Sequence, residues 1–355
     1  MDRQPSPRAL GHDDGHEVHH LGVDRAALMS RRALLRAGGL GLGAAFLAGC
    51  GVSSRGADIV SDLASTSTTI VPPTTTAVVA DATLPGFAAF ASTVRVLRSG
   101  DHWLVESSGL PTHPMMVGIR NWQQQVPLPQ DYSGANAWRF PAEPKLAATP
   151  VSARNALYRG AIAIAVDGIP IFNALNNRGE DATKLGELDR WGGHSGRADD
   201  YHYHAAPLYL QEIVGVSQPI AYALDGFPIY GSLEPDGSAM RPLDELNGHL
   251  GADGVYHYHG TTTFPYINGG LRGEVSVIDD QVDPQPRLQP TRPSGSPLPG
   301  ATITAFDAPG NSTYRLTYEV SGAAATINYT IKGDEVTFTF IDAKGSSRTE
   351  VYRRR

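Results

Sequence analysis

A single cysteine in 355 residues, Cys50, excludes an intramolecular disulfide framework, so core packing or a bound metal must hold the fold together. Charge is also sparse. Asp, Glu, Lys and Arg make up 18% of the chain and the net charge is -7, which leaves no basic footprint for nucleic acid. The apolar run from Ala33 to Gly49 is glycine-rich and broken by Arg36, and it falls short of the roughly 20 residues that span a bilayer. Beyond Met29 there is no Gly-x-Ser-x-Gly elbow, no phosphate-binding glycine loop and no His-Glu-x-x-His helix. What is plentiful is glycine (39) and proline (26), a composition that predicts many turns and short strands rather than long helices.

The chain begins with an address. Ser30-Arg31-Arg32-Ala33-Leu34-Leu35-Arg36 reads as a twin-arginine export signal, and Leu47-Ala48-Gly49-Cys50 resembles a bacterial lipobox. The expectation over residues 1–50 is therefore a lipoprotein signal, with Cys50 lipidated and the protein held on the extracytoplasmic face of the membrane. Met29 stands just before the signal and competes with Met1 as the start, so His12, His16, His19 and His20 are set aside. Residues 51–90, rich in Ser, Thr, Ala and Pro, read as a flexible spacer with a reach of roughly 30–35 Å.

The centre of the chain, residues 91–280, holds a motif written twice: Tyr201-His202-Tyr203-His204 and Tyr256-His257-Tyr258-His259. An alternating apolar run, Asp-Gly, and a second apolar run precede each motif, around Asp167-Gly168 and Asp225-Gly226. Both read as β-hairpins whose Asp and Gly form the turn. Short helical turns are expected at residues 184–188 and 242–246. Each half then reaches a Gly-His, which completes a His-x7-His-x-His triplet: His194, His202 and His204, then His249, His257 and His259. The fold class expected is mainly β with a few short helices, internally duplicated over about 160–214 and 219–270.

In a strand, alternate side chains share a face, so His202 and His204 project together while the tyrosines point the other way. Imidazoles suit zinc or copper, and without a thiol in the folded part an all-sulfur site is excluded. Twelve histidines, less the four before Met29, leave eight, and six of these fall in the repeated positions. Two arrangements are open: one four-histidine site shared by the two His-x-His pairs, or two three-histidine sites with an open position. His113, in the proline-fixed loop Gly109-Leu110-Pro111-Thr112-His113-Pro114, can complete either. Asp199, Asp200 and Asp253 stand close enough to orient ligands or act as a base.

The doubled motif, the Asp-Gly-x-Pro-Ile-aromatic hairpins and Gly109-Leu110-Pro111-x-His113 resemble the bacterial YHYH domain family over roughly residues 93–280. The resemblance implies an exported protein and, through the doubled histidines, metal binding; it assigns no catalytic roles. The functional expectation is transition-metal handling at the envelope. A metal-dependent hydrolase of envelope substrates, or a binding module with a structural Tyr/His network, are the alternatives. Residues 281–300 read as a proline-rich linker and 301–355 as a small antiparallel β meander of three to five strands, a module that could also meet envelope glycan or protein.

Overall fold

The computed structural model describes residues 78–80, 83–288 and 290–354; the twin-arginine and lipobox readings, Cys50 included, lie outside them. The described residues belong to one compact unit.

Four strands open it as one antiparallel sheet: β1 (Val78–Ala80), β2 (Val94–Ser99), β3 (His102–Ser107) and β4 (Trp138–Pro141). A longer strand, β5 (Leu146–Ser152), follows, and then eight short ones build the central sheet. These are β6 (Ala161–Ala165), β7 (Pro170–Phe172), β8 (Gly193–Ser195), β9 (Tyr201–Tyr203), β10 (Ala221–Ala223), β11 (Pro228–Tyr230), β12 (Gly248–Leu250) and β13 (Tyr256–His259). Their spatial order, β12-β13-β11-β10-β6-β7-β9-β8, mirrors about the β10–β6 seam. In each half a hairpin pairs antiparallel, its second strand runs parallel to the Tyr-His-Tyr strand, and the Gly-His strand forms the outer edge.

The hairpins form where the sequence says they should. Gly168 and Gly226 hold φ of 81° and 92°, the left-handed conformation that lets Asp-Gly close a tight loop. Neither accepts a side chain: a Cβ on Gly168 would lie 2.6 Å from Ser107 Cβ, and one on Gly226 2.4 Å from the Pro141 carbonyl. Pro170 and Pro228 each open their strand, where a missing N–H costs no ladder bond. At the seam every residue of β6 is fully buried, as befits a central strand covered on both faces.

The helical turns expected at 184–188 and 242–246 are not helices. Asp181 accepts from Lys184 N and Leu185 N in a single turn, and Gly186, at φ 71°, ends it. Around Pro242 the chain is extended until a turn closes from Asp244 to Asn247. The one α-helix among the described residues is α1 (Leu210–Val214), which bridges the two halves.

After β13, β14 (Gly270–Gly273) pairs with β5, and β15 (Val277–Ile278) with β16 (Gln281–Val282). The proline-rich stretch that follows lies against its neighbours. Its Arg292 makes a buried two-pronged ion pair with Asp199, Nε to Oδ2 at 2.7 Å and Nη2 to Oδ1 at 2.8 Å, and stacks over Phe338. The chain ends in a five-stranded antiparallel meander: β17 (Thr302–Gly310), β18 (Thr313–Val320), β19 (Ala323–Lys332), β20 (Glu335–Ile341) and β21 (Ser347–Arg353). Leu316, Ile327, Val336 and Phe338 join the same apolar core as the central sheet, and Tyr329 donates to the Pro127 carbonyl at 2.6 Å.

Candidate metal centres

Pairing at the sheet edges assembles each histidine triplet. His194 on β8 stands directly opposite His202 on β9, and His249 on β12 opposite His257 on β13. The alternation of β9 and β13 adds His204 and His259 to the same faces. All six imidazoles turn Nε2 inward. In the first group, His204 Nε2 lies 3.1 Å from Nε2 of both His194 and His202. In the second, His249 Nε2 lies 3.0 Å from His257 Nε2 and 3.2 Å from His259 Nε2. Four tetrahedral donors at 2.0–2.1 Å from a zinc ion sit about 3.3–3.4 Å apart, so the observed spacing needs only slight expansion.

The other ring nitrogens show why a cation would suit this convergence. His202 Nδ1 lies 3.0 Å from the Asp200 carbonyl, His204 Nδ1 2.5 Å from the Asn173 carbonyl, and His259 Nδ1 2.9 Å from the Gly231 carbonyl. A carbonyl only accepts, so these Nδ1 atoms carry the proton and each Nε2 presents a bare lone pair. In the first group the two lone pairs of His202 and His204, 3.1 Å apart, repel unless something positive stands between them. Protonation is a poor remedy. Burial, then the charge of His202, pushes His204 down to about 3, and burial pushes His259 down to about 4. Burial and its two histidine neighbours hold His194 well below the usual range, and burial lowers His257 as well. Burial thus disfavours a charge on these four side chains.

The second group has a fourth member. Glu234, 5% exposed, places Oε1 3.2 Å from His249 Nε2 and Oε2 3.4 Å from His257 Nε2. Burial works against its charge, but the hydrogen bond from the Arg241 backbone N–H helps carry its pKa below the usual value. Glu234 was not among the residues singled out from the sequence. The signal lay in alignment: a shift of 58 residues, the one that superposes the Asp-Gly hairpins, sets Glu234 opposite Asn176. The structure bears out that correspondence, since Asn176 N donates to Glu180 O as Glu234 N donates to Ser238 O, and the bridges Leu175–Asp181 and Leu233–Ala239 match.

The opposite sheet face belongs to the tyrosines, each of which finds a carboxylate. Tyr201 donates to Asp189 and Tyr256 to Asp244, both at 2.8 Å; Tyr203 donates to Asp167 at 2.8 Å and Tyr258 to Asp225 at 2.6 Å. Asp167 and Asp225 thus do more than turn the chain: besides capping Ile169 N and Phe227 N, they anchor the Tyr-His-Tyr strands. Burial raises Asp167 to about 6 against the pull of its Tyr203 and Tyr209 donors, and burial raises Asp225 too.

His113 joins neither group. Its ring stacks on Trp191 with centroids 4.7 Å apart, and its Nε2 lies 3.1 Å from the Tyr203 hydroxyl, which places it on the tyrosine face. A single four-histidine site is likewise not formed, because each His-x-His pair closes on its own Gly-His histidine at an opposite end of the sheet. Of the three aspartates, Asp200 meets His202, with Oδ2 3.2 Å from Nδ1. Asp199 is taken by Arg292, and Asp253 caps Val255 N.

The arrangement can hold a metal ion at His194, His202 and His204, and another at Glu234, His249, His257 and His259. Residues 137–241 match a family model described as YHYH protein, a span that includes the first triplet and Glu234 and ends before His249. No curated protein and no solved structure matches the chain.

Proposed function

We propose that this chain, which matches the YHYH family model over residues 137–241, is an exported, lipid-anchored protein carrying two transition-metal ions, zinc or copper, one at each end of its central sheet. The observation that carries the reading is the inward convergence of six Nε2 atoms, three of them on rings whose Nδ1 donates to a backbone carbonyl. A purely structural Tyr/His network would give each ring nitrogen a donor or acceptor of its own, and in the first group His204 Nε2 faces the Nε2 atoms of His194 and His202. An N3 or N3O donor set suits zinc and copper and is too poor in oxygen for calcium or magnesium. The recurrence of tyrosine–aspartate bonds, carbonyl tethers and triplets at fixed offsets supports reading the two halves as copies of one unit. The twin-arginine run and the lipobox around Cys50 support export and anchoring, with envelope metal handling as the setting.

Metal content tests this directly. Full-length protein purified from the membrane is expected to hold two ions per chain, His202→Ala one, His257→Ala one, and the double variant none. Equal metal content in all four proteins, or none in the first, refutes the proposal.

A further inference from the structure

The two centres match in their histidines and differ in what stands at the fourth position. In the second, Glu234 supplies an anionic oxygen, and four protein ligands make a closed set. In the first, Asn176 holds the matching place and its side chain is committed elsewhere. Its Oδ1 accepts from the backbone of Arg178 and Glu180, and its Nδ2 faces the carboxylates of Glu180 and Glu187. Among the described residues, three imidazole nitrogens are all the chain gives that site. Closed sets mark structural metals, while an open position marks a metal that meets a ligand from outside.

The open site also has an approach. A cleft of about 600 Å³ is bordered by His194, His202 and His204. Arg159, Arg178, Arg197 and Arg287 line the same cleft. Arg178 is paired with Glu180 and Glu187, whereas the other three make no ion pair among the described residues. Ser195 and Trp138 are also among its lining residues, and their Oγ and Nε1 are buried without a hydrogen-bond partner. Guanidinium groups and unpartnered O–H and N–H donors are chemistry for an oxyanion.

Resting on the two-metal reading, we propose that the first centre is the working site, taking a small oxyanion, phosphate or carboxylate, as its fourth ligand, and that the second is structural. The exogenous anion then supplies at the first centre what Glu234 supplies at the second. Divalent cobalt reports the event through its visible spectrum. Full-length protein loaded with cobalt is titrated with inorganic phosphate and, separately, with acetate.

At least one of the two anions is expected to shift the absorption bands in the wild type and in His257→Ala, which keeps the first centre, and to leave His202→Ala unchanged. Arg197→Ala/Arg287→Ala is expected to bind the active anion at least tenfold more weakly with its cobalt content intact. Two cobalt ions with no response to either anion overturn this assignment and leave the metal reading standing, as does a response that persists in His202→Ala or an unaltered affinity in the arginine variant. Protein that takes up no cobalt overturns both.

Discussion

Replacing Glu234 with Gln keeps the shape of the second centre and removes its only anionic ligand. Loss of an outer-sphere partner alone weakens metal sites by about 10–100-fold, a floor for a direct ligand. That factor corresponds to about 1.4–2.7 kcal/mol. At saturating metal the loss passes straight into folding stability, because only the folded chain assembles the site. For a folded unit of this size each kcal/mol moves the midpoint by about 2–4 °C, so the metal-dependent gain in Tm should shrink by about 3–11 °C. In chelator-treated protein the substitution should do little or stabilise slightly, since the Gln amide can donate to an Nε2 that otherwise faces a carboxylate. Scanning calorimetry of both proteins, with and without zinc, separates these terms. An unchanged zinc-dependent increment in Glu234→Gln, or an equal loss in the metal-free protein, would refute the reasoning.

The converse change, Asn176→Glu, should place a carboxylate at the first centre, tighten metal binding there and abolish its response to phosphate; competition with a chromophoric chelator measures the affinity. Arg292→Ala leaves Asp199 buried without its partner and should cost about 3–5 kcal/mol, read as a lower urea midpoint, whereas a change under about 1 kcal/mol would show the ion pair to be dispensable. Metal-free protein should lose stability as pH falls from 7 to 6. His113, His204 and His259 have folded pKa values of about 4, 3 and 4, below the unfolded value near 6.5, so the unfolded chain takes up more protons in that window. Below about 6 the raised Asp167 protonates first in the folded state and offsets part of the fall. Urea midpoints at pH 7, 6 and 5 trace this profile, and a rise from 7 to 6 would contradict it.

The sequence made the strand content and both triplets legible because a period of two and a pair of Asp-Gly turns are local signals. His194 and His249 could be found because the spacing to the next histidine repeats. What lay beyond reach depends on distance in the fold. Glu234 sits on a loop 15 residues ahead of His249, and only superposing the two halves sets it apart. His113 is brought by its proline loop to the tyrosine face, a choice made by Trp191 stacking that no spacing encodes. The turns at 184–188 and 242–246 carry apolar residues at helical intervals, but Gly186, at positive φ, ends the first after one turn, and in the second only the turn from Asp244 to Asn247 closes. Arg292 hid in a stretch whose proline content suggests a spacer, although its guanidinium ties that stretch to Asp199 and Phe338.

The outermost strands, β8 and β12, are three residues long, pair on one side only, and each gives one histidine to a candidate metal group. An ion at either end would act as a clasp that pins the rim strand to the strand inside it. Without it the rim can peel and present unpaired N–H and C=O groups to another molecule, and at β12 the exposed Leu250 and nearby Val255 would add apolar adhesion. Metal loss in this protein then becomes a matter of colloidal behaviour, with stripped chains adding edge to edge, which sedimentation of chelated against zinc-loaded protein would register.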